Sequence, residues 1–215
     1  MLTDKIERGN LVIMGLSVGV MPTNCYLVWD NISKDAVVID PADEEERIVH
    51  WIEKEGLELK AVLLTHGHFD HVMAVDVIRD RYGVKAYIHE SEQEVISDAQ
   101  KNCAYMIRSS FIGKADVSIK DDEELQFGAL KLRVLHTPGH TQGGVCYYFY
   151  QANTLFSGDT MFCRNVGRDD LPRGNGAALQ KSIREKLLVL PEDVIVFPGH
   201  NGPTTIGAEK KGRPW

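Results

Sequence analysis

The sequence predicts an α+β fold, a four-layer αββα sandwich built as one domain over residues 1–215. Its length of 215 residues suits a single domain. Short apolar runs bounded by turn residues open each half of the chain, and amphipathic helical segments follow them. Two strand-rich halves of this kind can pack face to face with their helices outside, which gives the four layers.

The first half is predicted to begin with three strands, at 11–16, 25–29 and 36–39, separated by turns rich in Gly, Pro, Asn and Asp. A helix over 44–55 follows, because apolar residues share one of its faces, acidic residues fill its first turn and Gly56 comes after it. Further elements are expected in this order: a strand at 61–64, a helix at 71–82 ended by Gly83, a strand at 84–89, and a helix at 91–99 that starts with a capping box of Ser91 and Glu94.

The second half repeats the order of strands before helices. Residues 101–122 are predicted to contain a loop, and strands are predicted at 125–135, 144–150 and 154–156. A helix over 176–188, a buried strand at 194–197 and a short helix near 206–211 complete the prediction.

Composition excludes several classes of partner. With 24 Lys+Arg against 31 Asp+Glu, the net charge of −7 disfavours nucleic acid, whose phosphates attract basic surfaces. No apolar run approaches the ~18 residues of a membrane span. The first eight residues lack a signal-peptide core, and the four cysteines form no C-x-x-C pair, so we expect a cytoplasmic protein. The sequence predicts no oligomeric state.

One heptapeptide, residues 65–71, concentrates candidate metal ligands. His66, His68, Asp70 and His71 lie between the predicted strand at 61–64 and the helix that follows. Imidazole and carboxylate groups together bind Zn²⁺, and a ligand set without cysteine also admits iron or manganese. A single loop can turn the first pair of side chains one way and the second pair another. The spacing therefore favours two adjacent metal ions over one.

Three further candidate ligands follow later strands. His140, Asp159 and His200 come after the predicted strands at 125–135, 154–156 and 194–197, each with a nearby glycine that allows a sharp turn. If these strand ends share one edge, seven candidate ligands converge there. His50 is expected to be an ordinary surface residue, and His89 and His136 are expected to lie outside the ligand set.

Together these motifs resemble those of the metallo-β-lactamase-fold hydrolases, and within them the small glyoxalase-II-like, or hydroxyacylglutathione hydrolase-like, proteins. The H-x-H-x-D-H signature is matched by residues 66–71, and the later family motifs by His140, Asp159 and His200. The resemblance implies the αββα fold and two divalent metal ions, with zinc favoured and iron or manganese as alternatives. It assigns the first metal to His66, His68 and His140, the second to Asp70, His71 and His200, and a bridging role to Asp159.

The resemblance also implies a small-molecule substrate and a reaction, the hydrolysis of thioesters of the hydroxyacylglutathione type by a metal-bound hydroxide that Asp70 helps to orient. A thiolate leaves readily, so no strong general acid is needed. Two departures weaken the case for glutathione. Few residues follow His200, where full-length glyoxalase II enzymes carry a helical domain, and Asn201 to Pro203 stand where these enzymes commonly have a Tyr near the last ligand.

Arg168 is the candidate substrate-binding residue. It lies in a loop, 161–174, that resembles the G-R-[ST]-D segment of small glyoxalase-like proteins and persulfide dioxygenases. A guanidinium can bind a substrate carboxylate through two hydrogen bonds. The alternative is an internal salt bridge with Asp169 or Asp170.

The main alternative function is a persulfide dioxygenase. Such enzymes share the fold and motifs but use one iron, at positions matching His66, His140 and Asp159. A redox role beside a flavin domain is disfavoured because 215 residues leave no room for that domain. A non-catalytic metal-binding role is also less favoured. β-Lactam hydrolysis is expected only as a side activity, while lactone hydrolysis stays open.

Overall fold

The first half of the chain forms one sheet and the helices that cover it. The computed structural model describes residues 5–212, and within this range the sheet has seven strands in chain order. They are β1 (Ile6–Arg8), β2 (Leu11–Val18), β3 (Thr23–Asp30), β4 (Asp35–Ile39), β5 (Glu58–Leu63), β6 (Lys85–His89) and β7 (Val117–Ile119). The helices are α1 (Glu45–Glu55), α2 (Phe69–Val72), α3 (Val75–Tyr82) and α4 (Gln93–Ile96), with 3₁₀ turns at Glu90–Glu92 and Ala104–Ile107.

The second half forms the other large sheet. Its strands are β8 (Glu124–Phe127), β9 (Leu130–His136), β10 (Val145–Phe149), β11 (Thr154–Gly158), β14 (Ile195–Pro198) and β15 (Thr204–Thr205), in the spatial order β15-β14-β11-β10-β9-β8. Two short strands, β12 (Met161–Phe162) and β13 (Asn165–Val166), pair separately. The helices are α5 (Gly176–Ser182), which continues into a π-helical turn at Ile183–Leu187, and α6 (Ile206–Gly212), and a 3₁₀ turn covers Tyr150–Ala152.

Three apolar layers hold the sandwich together. Between the sheets, β2 and β3 of the first sheet pack against β9, β10 and β11 of the second through a buried cluster that includes Tyr26, Tyr147 and Phe156. The outer face of the first sheet is covered by α1 and α3, and that of the second by α5 and α6. The four-layer αββα prediction is confirmed. Burial of apolar area on this scale is the main force favouring the fold.

Strand direction brings five loops to one edge of the sandwich. In the first sheet β4, β5, β6 and β7 run parallel. In the second, β9 and β11 share a direction because both pair antiparallel with β10, and β14 pairs parallel with β11. The segments after β4, β5, β9, β11 and β14 therefore leave their sheets at carboxyl ends. The buried hydroxyl groups of Tyr26 and Tyr147 donate to the carbonyl oxygens of Pro198 and Leu64, at 2.6 and 2.7 Å, and so tie the two sheets together near this edge.

Two predicted helices differ from the structure. The predicted helix at 71–82 is interrupted between α2 and α3, because the backbone N–H groups of Met73 and Ala74 donate to Ala42 and Pro41 after β4. The predicted helix at 91–99 ends at Ile96.

The predicted capping box at the start of that second helix is wrong. The backbone N–H of Ser91 donates to His89 Nδ1, and the Glu94 carboxylate is paired instead with Lys101 and Arg173. Neither side chain therefore caps the helix.

Two further segments contain more secondary-structure elements than predicted. The single strand predicted at 125–135 is a hairpin of β8 and β9, which turns at Gly128 with a φ of 58°. The segment 101–122, predicted to contain a loop, also contains a 3₁₀ turn and β7. No helix among residues 5–212 is long and apolar enough to cross a membrane.

Candidate metal centre

The loop between β5 and α2 presents four of the predicted ligands. His66 and His68 precede the helix, with His68 in an extended conformation at its N-cap, while Asp70 and His71 lie in its first turn. The change from extended to helical backbone turns the two pairs in different directions. All three histidines are buried, with exposed fractions of 3 % or less.

The first group of ligand atoms comes from His66, His68 and His140. One ligand atom of each lies within 4.8 Å of the others. Nδ1 of His68 faces Nε2 of His140 at 3.0 Å. His140 follows β9 in the second sheet, so this group joins the two halves of the sandwich.

The second group comes from Asp70, His71 and His200, whose ligand atoms also lie within 4.8 Å of one another. Asp70 Oδ2 is 3.4 Å from His200 Nε2 and 3.8 Å from His71 Nε2. This group is more open than the first, because the His200 side chain is 21 % exposed.

Asp159 lies between the two groups. Its Oδ2 is 3.6 Å from Nε2 of His140 and 3.5 Å from Nε2 of His200, while its Oδ1 is 3.4 Å from Nε2 of His71. Gly199 makes this packing possible, since a Cβ at that position would lie 2.3 Å from Asp159 Oδ1. One carboxylate thus faces histidines of both groups.

Three imidazoles are oriented by acceptors outside the centre. His71 Nδ1 contacts Asp40 Oδ2 at 2.9 Å, His140 Nδ1 contacts the Arg168 carbonyl oxygen at 2.7 Å, and His200 Nδ1 contacts the Pro22 carbonyl oxygen at 2.9 Å. Because each acceptor calls for a proton on Nδ1, it leaves Nε2 free to face the centre as a ligand.

Sequence reasoning missed three residues that hold the ligand loops. Asp40, in a left-handed conformation with a φ of 50°, accepts from the backbone N–H and hydroxyl of Thr65 as well as contacting His71. The Asn24 amide donates to the carbonyl oxygens of Pro198 and Asn201, on either side of His200. Asp40 could have been found from its place at the end of a buried strand that leads to the same sheet edge.

Glu92 is the third, and nothing in the sequence signals it. The side chain is fully buried, and its two carboxylate oxygens accept from the backbone N–H groups of Gly67 and Gly143, both at 2.8 Å. These glycines lie in the two loops that carry His66, His68 and His140. Burial raises the pKa of Glu92, and the Thr141 side chain, followed by the two backbone hydrogen bonds, offsets part of that effect.

Electrostatics differ between the two groups. Burial, and then the nearby His71, hold the pKa of His66 well below its usual value, and burial followed by His140 lowers the pKa of His68 to about 3. Both rings are therefore neutral at pH 7, the form that binds metal. Burial opposes charge on His71 as well, but Asp159 and Asp70 outweigh it and raise its pKa. Likewise burial raises the pKa of Asp159, while His71 and its neighbours lower it well below the usual range.

The donor set fits divalent metal ions. His66 Nε2, His71 Nε2 and Asp159 Oδ1 are buried and make no hydrogen bond within residues 5–212. An unsatisfied buried polar atom costs about 1–3 kcal/mol, so several together need a common partner. Imidazole and carboxylate groups at these separations would supply that partner's ligands, and Zn²⁺, iron and manganese all accept such a mixture.

Arg168 lines a cavity of about 330 Å³ beside the two groups. Its guanidinium, however, binds Asp170 through two hydrogen bonds of 2.7 and 2.9 Å, which is one of the two alternatives that the sequence left open. A substrate-binding role for Arg168 stays a prediction. His89 and His136 stack on each other at 4.1 Å and contribute to neither group, and His50 lies exposed on α1.

A family profile and two sequence relatives agree with the fold described above. A profile described as the Metallo-beta-lactamase superfamily matches residues 18–200. The probable metallo-hydrolase YqgX of Bacillus subtilis (strain 168) is 38% identical over 203 residues, which are 93% of this chain and 95% of that protein. The hydroxyacylglutathione hydrolase GloC of Haemophilus influenzae (strain ATCC 51907 / DSM 11121 / KW20 / Rd) is 35% identical over 206 residues, again 93% and 95%.

Two solved structures share both fold and sequence with this chain. The BLEG-1 B3 metallo-beta-lactamase superposes with a TM-score of 0.90 at 37% identity, covering 94% of this chain and 98% of that one. The protein TTHA1623, in a di-iron-bound form, gives a TM-score of 0.81 at 34% identity and covers 93% and 98%. The similarity therefore extends over nearly the whole chain.

Proposed function

The chain belongs to the metallo-beta-lactamase superfamily, a family of metal-dependent hydrolases, and we propose that it is a dinuclear hydrolase that cleaves thioesters. One observation carries the dinuclear part of this proposal. The Asp159 carboxylate faces His140 of the first ligand group and both His71 and His200 of the second, at 3.4–3.6 Å. A carboxylate between two sets of nitrogen donors is suited to bridge two ions.

We assign His66, His68 and His140 to one ion, Asp70, His71 and His200 to the other, and Asp159 to both. Zinc is favoured by the ligand types, and iron is supported as an alternative by the di-iron-bound form of TTHA1623. When bound, such ions supply Lewis acidity, which polarises a carbonyl and lowers the pKa of bound water to about 7.

The protein's own groups position the reactants. Burial raises the pKa of Asp70, but His71 and His200 lower it by more than burial raises it. The Asp70 carboxylate is therefore ionised at neutral pH. We propose that Asp70 accepts a hydrogen bond from the attacking water and directs its lone pair towards the thioester carbon. The thiol of the leaving group has a pKa of about 8.5, so the thiolate departs without a strong general acid.

Hydroxyacylglutathione-type thioesters are the first substrates to test, because GloC carries that activity in its name and aligns along nearly the whole chain. We also propose a cytoplasmic location. All four cysteines are free thiols and Cys163 is exposed, as is usual in a reducing compartment.

A mononuclear-iron persulfide dioxygenase is the second candidate. It is supported by the arrangement of His66, His140 and Asp159, the residues that match the iron ligands of such enzymes. His66 and His140 belong to one buried ligand group, and Asp159 lies beside His140. In this case Asp70, His71 and His200 would surround the iron without binding it.

The deciding experiment measures metal per chain, thioester hydrolysis and oxygen uptake on protein purified with little added metal. Two ions per chain, cleavage of S-lactoylglutathione and no oxygen consumption are the expected results. One iron per chain with persulfide-dependent oxygen uptake would replace the hydrolase by the dioxygenase. Ampicillin, included as a β-lactam, should be turned over at a small fraction of the thioester rate.

A further inference from the structure

The cavity beside the ligand groups is lined mainly by apolar side chains. Phe69 and Phe162, which are 2 % and 8 % exposed, are among its buried lining residues, and the Phe162 ring lies edge-on to His200 with centroids 6.0 Å apart. Leu171 lines it as well and packs against the cluster formed by Phe69, Cys103 and Ala104. A group that enters this space next to the ligands thus meets apolar surface.

The exposed residues that line the cavity are two methionines and Arg168, whose side chain is 51 % exposed. Met21 and Met106, from the turn after β2 and the 3₁₀ turn at Ala104–Ile107, line it and are 41 % and 46 % exposed. Exposed methionine costs free energy in water and adapts its shape to an apolar ligand. Two such residues at one opening suit the entry of a flexible hydrocarbon group.

Cationic groups that would recognise carboxylates are scarce. Among the described residues, Arg168 is the one Lys or Arg that lines the cavity, and Asp170 binds the Nε–Nη2 edge of its guanidinium. Glutathione carries two carboxylates, whose removal from water needs a compensating charge or hydrogen bonds. A single arginine, already paired on one edge, cannot compensate both carboxylates of that thiol.

We propose, building on the thioester hydrolase function, that the natural substrate is a thioester of an apolar carboxylic acid, with the acyl chain held by Phe69, Phe162 and Leu171. At the ~30 Å³ that a water-sized group occupies, 330 Å³ accommodates roughly ten non-hydrogen atoms. A hexanoyl or octanoyl thioester fits this size. Hydrolysis adds water across the C–S bond, so that the acyl carbon gains a hydroxyl oxygen and the sulfur leaves as the thiolate, which takes up a proton.

The test compares acyl groups on one uncharged thiol, N-acetylcysteamine, with the metal-loaded protein. We expect kcat/KM to rise about two- to fourfold for each methylene from acetyl to hexanoyl and to level off beyond octanoyl. Isobutyryl differs from lactoyl by a methyl group in place of the hydroxyl. To correct for intrinsic reactivity, the kcat/KM of each thioester is divided by its rate of alkaline hydrolysis. After this correction the isobutyryl thioester should be the better substrate. Lactoyl on glutathione and on N-acetylcysteamine should differ less than about threefold.

A matched pair of variants tests whether the preference for longer acyl chains depends on the cavity. Met106→Gln keeps the length of an exposed side chain and should lower the hexanoyl-to-acetyl ratio about three- to tenfold, while Ile32→Gln, at a remote site that is 77 % exposed, should leave it unchanged. Calorimetric binding of inert analogues, with a methylene between sulfur and carbonyl, should show the same preference for hexanoyl over lactoyl.

The two proposals fail in different ways. Preferential cleavage of lactoylglutathione, with kcat/KM falling as the acyl chain lengthens, would overturn the apolar substrate and leave the thioester hydrolase intact. Inertness of every thioester with two ions bound per chain would overturn both.

Discussion

Replacing Glu92 by Gln tests whether the two loops of the first ligand group depend on one buried carboxylate. Glu92 holds the backbone N–H groups of Gly67 and Gly143 with one oxygen each. Gln has nearly the same shape but a single acceptor oxygen, so its NH₂ group must face one of the two N–H donors. There is no room to shift the second loop closer, because a Cβ at Gly143 would lie only 2.8 Å from Glu92 Cγ.

The expected loss of stability follows from two opposing effects. A hydrogen bond to a charged group is worth about 1.5–3 kcal/mol, and a buried donor left without a partner costs about 1–3 kcal/mol. Removing the charge returns part of the desolvation cost that raises the pKa of Glu92. The net expectation is a decrease of about 1–3 kcal/mol in the free energy of unfolding. Loosening of both loops should also weaken metal binding about 10–100-fold, as is typical when a group that supports metal ligands is lost.

Urea unfolding of the metal-free protein and competition with a chelator measure the two effects separately. Glu94→Gln is the matched control, since Glu94 is exposed and makes surface ion pairs with Lys101 and Arg173 that are worth at most about 1 kcal/mol. Unfolding of E92Q within about 0.5 kcal/mol of E94Q, together with the wild-type metal affinity, would show that the two loops do not depend on the Glu92 carboxylate.

Four further predictions concern other parts of the centre. Asp159→Asn should weaken at least one ion about 100-fold or more and abolish most activity; full metal content with full activity would exclude the bridging role. Asn24→Leu, which removes both amide bonds beside His200, should weaken the second ion of a stepwise metal titration about 10–100-fold and spare the first. Arg168→Ala should change KM less than about twofold, and equally for glutathione and N-acetylcysteamine thioesters; a selective rise for glutathione would show that Arg168 leaves Asp170 to bind substrate. Burial followed by His136 lowers the pKa of His89 from 6.5 to about 4, so stability present above pH 6.5 is lost as the pH falls towards 4. Unfolding of His89→Phe at several pH values should show a shallower decline, whereas His50→Gln should follow the wild type.

The layers and the ligand loops could be predicted from the sequence because each leaves a local pattern. Buried strands appear as apolar runs, and the residues after them in the chain are necessarily at strand ends. Gly56 and Gly83 indeed end α1 and α3 in left-handed conformations, with φ of 64° and 63°. The seven candidate ligands were found at these strand ends from the residues themselves, and the family resemblance then divided them between two metal ions.

Features that depend on distant contacts could not be predicted in this way. The break between α2 and α3 arises because two N–H groups bond to the loop after β4, which the periodicity of the helix does not show. Glu92 was overlooked because an acidic residue near a helix start is expected at the surface, and its partners are backbone groups 25 and 51 residues away. The sequence offered both Asp169 and Asp170 as internal partners for Arg168, and the structure shows that the partner is Asp170.

The distribution of ligands along the chain has a consequence for folding. Each proposed ion takes two ligands from the segment after β5 and two from the second sheet, the shared Asp159 and either His140 or His200. Neither ion can therefore be fully held until both halves of the sandwich have docked, and once bound each acts as a cross-link that closes a long loop. Metal removal should accordingly loosen the junction between the halves before either sheet melts, and a chain still emerging from the ribosome would acquire its second ion only after its last large strand is in place.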